Sequence, residues 1–273
     1  MDIESFIHDN VSLSVLTWRA PKTLSHTLKS ISPIQNLFKN RFVLCQESDP
    51  DEIRLSEHFG LQPYEVPKNL GIQEGLAKCA DIAPTRYVLI LENDCNLKYP
   101  DCARDTIFES VRALRNNLVD VVKLGTIQTG NSQRYVRFWG SSYKPRRTWK
   151  AVLRPLEARA CLGGSIYMSD FPDQGSDDVK RISPHLFVTE SRFMGWTNRA
   201  FLIERNFFLN TIITFARKNP APGKVNGLPD LEKEINCFQN RSWWRRQPFR
   251  IGLTRPGLFD HHRLDRNIDD EKY

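Results

Sequence analysis

Two carboxylates one residue apart, Glu92 and Asp94, close the segment Tyr87-Val88-Leu89-Ile90-Leu91-Glu92-Asn93-Asp94. The apolar run before them has the length and β-prone composition of a buried strand. Residues i and i+2 of a strand share a side. The pair is therefore expected on one side of the strand's carboxyl end, which is where open α/β sheets bind ligands. Carboxylate oxygens so placed suit a hard divalent cation. An acidic loop that merely follows a strand is the competing reading.

Strand and helix patterns alternate ahead of that tip. Val11 to Trp18 alternates apolar and polar residues as a strand does. Arg19-Ala20-Pro21 ends it, and Pro21 can open a helix carrying Leu24, Leu28 and Ile31. Arg41 to Cys45 reads as a second strand ending in Gln46-Glu47-Ser48. Asp49-Pro50-Asp51-Glu52 starts a helix through Ile53, Leu55 and Phe59 that Gly60 stops. Tyr64 to Val66 is a short third strand. Asn69-Leu70-Gly71 turns into a helix over about Ile72 to Ala80. This alternation predicts a mostly parallel sheet covered by helices.

The second half is less regular. A helix is expected over Thr106 to Leu118 and a strand over Val119 to Leu124. Gly125 to Trp149 is turn-rich, basic and aromatic. Ala160 to Met168 is β-prone and contains Gly163-Gly164, and Phe193 to Leu209 carries Gly195-Trp196 and a helical pattern. Gly223 to Pro229 reads as a flexible loop, followed by a helix from about Leu231 to Trp244.

A chain of 273 residues can bury a full core. Its 40% apolar and 26% charged content is that of a globular protein. No stretch approaches the roughly 20 apolar residues that span a bilayer. The acidic start, Met1-Asp2-Ile3-Glu4-Ser5, lacks the basic opening of a signal peptide. A cytoplasmic location is expected, with peripheral membrane contact left open. The six cysteines show no Cys-x-x-Cys pair and no zinc-ligand spacing, so free thiols are expected. The net charge of +7 is concentrated late, in Lys144-Pro145-Arg146-Arg147 and Arg241-Ser242-Trp243-Trp244-Arg245-Arg246. No zinc finger or RNP signature accompanies it, so nucleic acid is not the expected partner.

Taken together, these segments resemble the GT-A glycosyltransferases, especially those like family 2. Leu16-Thr17-Trp18-Arg19 resembles the mouth of the nucleotide pocket, and Glu47 stands where that fold commonly has an acidic residue near the base. Asn69-Leu70-Gly71 through Ala80 is similar to the segment before the metal-binding strand. Leu91-Glu92-Asn93-Asp94 resembles the Asp-x-Asp motif, with Glu in place of the first Asp. Leu228 to Glu234 sits where such enzymes place an acidic base, and Phe259-Asp260-His261-His262 resembles a late metal-completing segment.

The resemblance implies an α/β fold of the GT-A, Rossmann-like kind, with a mostly parallel sheet flanked by helices and a more irregular second half. It implies a single domain, 1–273, in which 1–120 binds the nucleotide sugar and 121–273 binds the acceptor and supplies the base. The implied reaction is inverting transfer of a sugar from a nucleotide donor, by default a UDP-sugar, to a hydroxyl of a glycan, glycolipid or glycoprotein. Thr17, Trp18, Arg19, Glu47, Asn69, Gly71, Glu92, Asn93, Asp94 and Arg263 are the implied donor-binding residues. Mn²⁺, or else Mg²⁺, is expected on Asp94 with one of His261 and His262, His261 being preferred. Asp230 is the first candidate base and Glu232 the second. Gly164, Trp196 and Trp243 are expected to meet the acceptor. Arg266 is read as tail solubility rather than as a phosphate clamp. A pyrophosphorylase is disfavoured because Thr17 to Pro21 lacks a glycine-rich loop. A nucleic-acid-binding protein, or an inactive GT-A-like one, stands as the alternative.

Overall fold

The computed structural model describes residues 2–125, 166, 171–175 and 177–265. The expectations placed on Gly163, Gly164, Arg266 and Lys144 to Arg147 lie outside these residues.

The first half is a regular succession: α1 (Ile3–Asn10), β1 (Val11–Trp18), α2 (Pro21–Gln35), β2 (Asn40–Gln46), α3 (Pro50–His58), β3 (Gln62–Val66), α4 (Gly71–Ile82) and β4 (Tyr87–Glu92). The short β5 (Cys95–Leu97), α5 (Pro100–Arg115) and β6 (Val121–Lys123) follow. Prolines open α2, α3 and α5 at a position whose missing N–H would have no helical partner anyway. Asp49 caps α3 by accepting from the Asp51 and Glu52 amides.

Later strands are β7 (Lys180–Arg181), β8 (Leu186–Glu190), β9 (Phe201–Glu204), β10 (Lys224–Val225), β11 (Leu228–Pro229), β12 (Arg250–Thr254) and β13 (Phe259–His261). Among the described residues, nine strands form one sheet in the order β3-β2-β1-β4-β9-β6-β12-β8-β7. From β3 to β4 it is parallel. β9 runs against both β4 and β6, β12 is parallel to β6, and β8 runs against β12 and β7.

Both faces of the sheet are covered. Leu89 and Leu91 of β4 pack into a core with residues of α1, α2 and α5, whereas Val88 and Ile90 join a second core with α4, Trp196, Phe208 and Trp244. This double burial explains why β4 is an unbroken apolar run. Each fully buried aliphatic side chain contributes about 1.5–3 kcal/mol. No helix among the described residues is long and apolar enough to cross a membrane.

Several segments depart from the expectation. α1 lies ahead of the first strand read in the sequence, and α5 starts at Pro100 rather than Thr106. Phe201–Glu204 is a strand and not part of a helix, because it fills the gap between β4 and β6. A short apolar run does not reveal by periodicity which of the two it will form. Gly223 to Pro229 is no open loop: β10 and β11 pair as a hairpin around Asn226 and Gly227, both at positive φ. Asn-Gly between apolar residues is the strongest short hairpin signal. The expected helix Leu231 to Trp244 is two, Leu231–Asn236 and Arg241–Arg246. Between them Asn240 turns its amide back to the carbonyls of Glu234 and Asn219.

Candidate active site

Parallel pairing sets Leu16 of β1 opposite Glu92 of β4 and Trp18 opposite Gln46 of β2. The carboxyl ends of three strands thus meet, and a cleft of about 230 Å³ opens there. Thr17, Trp18, Asn69, Gly71, Glu92, Asn93, Asp94, Asp230 and Arg263, all singled out in the sequence, line it. Gln46, Thr23 and the hairpin residues Val225, Asn226 and Leu228 line it too. Gln46 is legible only through the register of β2, although the hairpin carries the Asn-Gly signal.

The tip of β1 is held from below. Glu52, fully buried at the start of α3, accepts from Thr17 Oγ1 at 2.5 Å and from the Ala20 amide at 2.8 Å. Desolvation pushes its carboxyl above the usual range, and the Thr17 bond opposes that shift. Asn93 Nδ2 donates to Thr17 Oγ1 at 3.1 Å, which joins the β1 tip to the β4 tip. Glu47 differs from its expected place. It does not line the cleft but accepts from Trp18 Nε1 at 2.9 Å and pairs with Arg19 Nε at 2.6 Å, so it anchors those side chains.

Asp94 is 2% exposed. After it the chain enters β5, which pairs antiparallel with β13 and sets Cys95 opposite His261. His261 Nδ1 consequently lies 3.7 Å from Asp94 Oδ2. The His262 amide donates to the Asp94 carbonyl at 2.9 Å. The His262 ring instead packs edge-on against His26, with centroids 5.1 Å apart, so His261 is the histidine facing the carboxylate. Arg263 Nε donates to Asp94 Oδ2 at 2.5 Å. The same segment is tied to the start of α2, since Thr23 Oγ1 accepts from Leu264 N and the Thr23 amide donates to Asp265.

Asp230 caps the helix Leu231–Asn236, with Oδ1 accepting from Glu232 N and from Asn198 Nδ2, each at 2.8 Å. Glu232 does not line the cleft but a shallow depression with Gly223, Lys233, Asn236 and Cys237. Its Oε2 accepts from the Asn198 amide at 3.2 Å.

The aromatic expectations need correction. Trp196 is 2% exposed and packs on Phe201, Phe208 and Trp244, with Nε1 bonded to Asn198. It is a core residue without a face for a sugar. Trp243 lies outside the cleft and has Phe215 stacked on its ring at 3.6 Å. In both cases an apolar interior competes for the ring more strongly than solvent does.

No protein-family model and no curated protein matches the sequence. Solved structures do match the fold. Staphylococcus aureus TarS 1–349, crystallised with UDP-GlcNAc, superposes with a TM-score of 0.54 at 11% identity, over 97% of this chain and 61% of that one. Glucosyl-3-phosphoglycerate synthase from Mycobacterium tuberculosis, in complex with Mn²⁺ and UDP-glucose, gives 0.52 at 14% identity, over 99% and 78%. A structure described as a mycobacterial protein gives 0.52 at 15% identity, over 98% and 72%. The fold is the GT-A fold.

In this GT-A cleft the donor set fits a divalent cation. Glu92, Asp94 and Asp230 crowd one pocket. The Glu92 carboxyl is pushed up to about 8, first by desolvation and then by Asp94 and Asp230. Burial holds the His261 imidazole below its ordinary range against the pull of Asp94, which leaves a neutral nitrogen ligand. His261 Nε2 is buried and has no hydrogen-bond partner among the described residues. Cys95 lies within 4.8 Å of Asp94 and His261, and burial with the two nearby carboxylates pushes its thiol well above the ordinary range.

Proposed function

We propose that this chain is a metal-dependent glycosyltransferase that moves a sugar from a nucleotide sugar to an acceptor hydroxyl. The observation carrying this reading is the convergence of Asp94, Arg263 and Asp230 on one cleft at the carboxyl ends of β1 and β4, with His261 set against Asp94. The solved glycosyltransferases that share the fold support it. A UDP-sugar is the first donor to test, since UDP-sugars occupy those two structures. In this reading residues 1–120 form the donor half and 121–273 the acceptor half.

Asp94 and His261 would hold the cation, Mn²⁺ or Mg²⁺, whose positive charge stabilises the departing diphosphate. Thr17, Trp18, Gln46 and Asn69 form the wall that receives the nucleoside. Arg263 supplies a forked donor at the phosphate end of the cleft. The hairpin tip at Asn226 covers the donor and excludes water from it.

Asp230 removes the proton from the acceptor hydroxyl as its oxygen attacks the anomeric carbon. The Glu232 amide, donating to Asp230 Oδ1, orients the carboxylate. The bond to the nucleoside diphosphate breaks on the opposite face, so configuration inverts. Glycans and glycoconjugates are the acceptor class this reading implies.

The test is a panel of nucleotide sugars with Mn²⁺, read as nucleoside diphosphate release, repeated with Asp94→Ala. Release from one donor that Asp94→Ala lowers about 100-fold or more supports the reading. Release from none, or release indifferent to Asp94, overturns it.

A further inference from the structure

We propose that Asn198 is a positioning residue for Asp230 and is itself aimed by Trp196; the inference rests on Asp230 being the base. The three side chains form one buried line. Trp196 Nε1 donates to Asn198 Oδ1 at 3.0 Å, and Asn198 Nδ2 donates to Asp230 Oδ1 at 2.8 Å. Trp196 is 2%, Asn198 5% and Asp230 8% exposed, so bulk water does not substitute for these bonds.

The chemistry of the first member dictates the orientation of the second. An indole nitrogen only donates. The oxygen of the Asn198 amide must therefore face Trp196, and its NH₂ group must face the carboxylate. A flipped amide would confront Trp196 with a second donor and Asp230 with a second acceptor.

The backbone holds the donor at the right height. Asn198 N bonds Glu232 Oε2, and Trp196 exchanges two bonds with the Asn236 side chain, at 3.0 and 2.7 Å. Lys123 Nζ fixes the preceding carbonyl, Gly195 O, at 2.6 Å. The Gly195–Asn198 segment is thereby strapped to the short helix that Asp230 caps.

A helix cap alone holds one oxygen and leaves the carboxylate plane free to turn. A second donor from another element removes that freedom. Both donors converge on Oδ1, and among the described residues no hydrogen bond goes to Oδ2. Oδ2 is thus the oxygen presented to the acceptor proton. Asn198 does this without a charge, so it orients the base without neutralising it.

The decisive variant is Asn198→Asp. It is isosteric and keeps the bond from Trp196 but loses the donor to Asp230. With the UDP-sugar and Mn²⁺ found active in the panel, kcat for transfer should fall about 10- to 100-fold while donor KM stays within about twofold. UDP binding with Mn²⁺, measured by calorimetry, should be unchanged. Asn198→Ala should fall similarly, and adding Trp196→Phe to it should cost nothing more, because Trp196 acts through Asn198.

Unchanged kcat in Asn198→Asp, with Asp230→Asn inactive, overturns the positioning role and leaves the base reading standing. A parallel loss of UDP binding also overturns it, since that marks a merely structural residue. Near wild-type transfer by Asp230→Asn overturns the base assignment and this inference with it.

Discussion

Arg263 donates through Nε to Oδ2 of Asp94 at 2.5 Å, across 169 residues of sequence. The oxygen that a cation would need is thus already met by a positive group of the same chain, and His261 Nδ1 faces that oxygen at 3.7 Å. Arg263 is 44% exposed on its side chain, whereas that of Asp94 is 3% exposed. Removing the guanidinium leaves a buried carboxylate uncompensated. With the exposure of Arg263 screening the pair, Arg263→Ala should cost about 1–2 kcal/mol of stability in EDTA. Mn²⁺ should restore much of it, because a cation can replace the lost charge. Thermal unfolding with and without Mn²⁺ checks this, and equal Mn²⁺ gains in variant and parent would contradict it.

Glu52 acts on the donor cleft at one remove, through Thr17 and Ala20. Glu52→Gln keeps an acceptor oxygen and should bind UDP with Mn²⁺ as the parent does. Glu52→Leu leaves the Thr17 hydroxyl proton and the Ala20 amide without an acceptor and should weaken UDP binding about tenfold. The raised carboxyl adds a pH signature. Above its ordinary range the folded chain holds a proton that the unfolded chain releases, so the parent loses stability as pH rises through that window. The Gln variant should lack this loss in urea unfolding from pH 4 to 7.

Lys123 is 1% exposed, and desolvation lowers it from the ordinary 10.5 to about 7, with Glu232 opposing. Between those values the unfolded chain carries a proton that the folded chain does not. Stability contributed by this site therefore rises with pH from about 7 to 10.5. The parent minus Lys123→Met difference in urea midpoint should move in the parent's favour from pH 7 to 9. A difference independent of pH would show that Lys123 is charged in the folded chain throughout.

Gly71 sits at φ +77°, and a Cβ there would lie 2.7 Å from Leu228 Cβ in the hairpin. Gly71→Ala should destabilise by about 1–3 kcal/mol, from backbone strain and the clash together. It should also weaken UDP binding, because the hairpin that closes the cleft must shift. Gly227→Ala is the control, since it shares the positive φ but has no heavy atom within 4 Å of the added methyl. It should cost stability alone.

Legibility followed locality. The alternation from β1 to β4 reads correctly because each element's periodicity and its proline or glycine boundary lie within a few residues. The hairpin before Asp230 is equally local, in Asn226-Gly227, although the composition of Gly223 to Pro229 also fits a loop. Phe201–Glu204 does not read as a strand, because so short a segment takes its conformation from the sheet gap it fills. The burial of Trp196 depends on Phe201, Phe208 and Trp244, which no local pattern brings together.

Glu92 and Asp94 at the end of an apolar run are enough, by the two-residue period of a strand, to place two carboxylates at a sheet's ligand-binding edge. Which groups answer Asp94 was decided by the pairing of β5 with β13, which sets His261 opposite Cys95 and carries Arg263 onto the carboxylate. Asn198 reaches Asp230 for a similar reason, through the strapping of Gly195–Asn198 to a helix more than thirty positions on. A strand period acts between neighbours. Register between distant segments is set by what the whole core can bury, so only the folded chain states it.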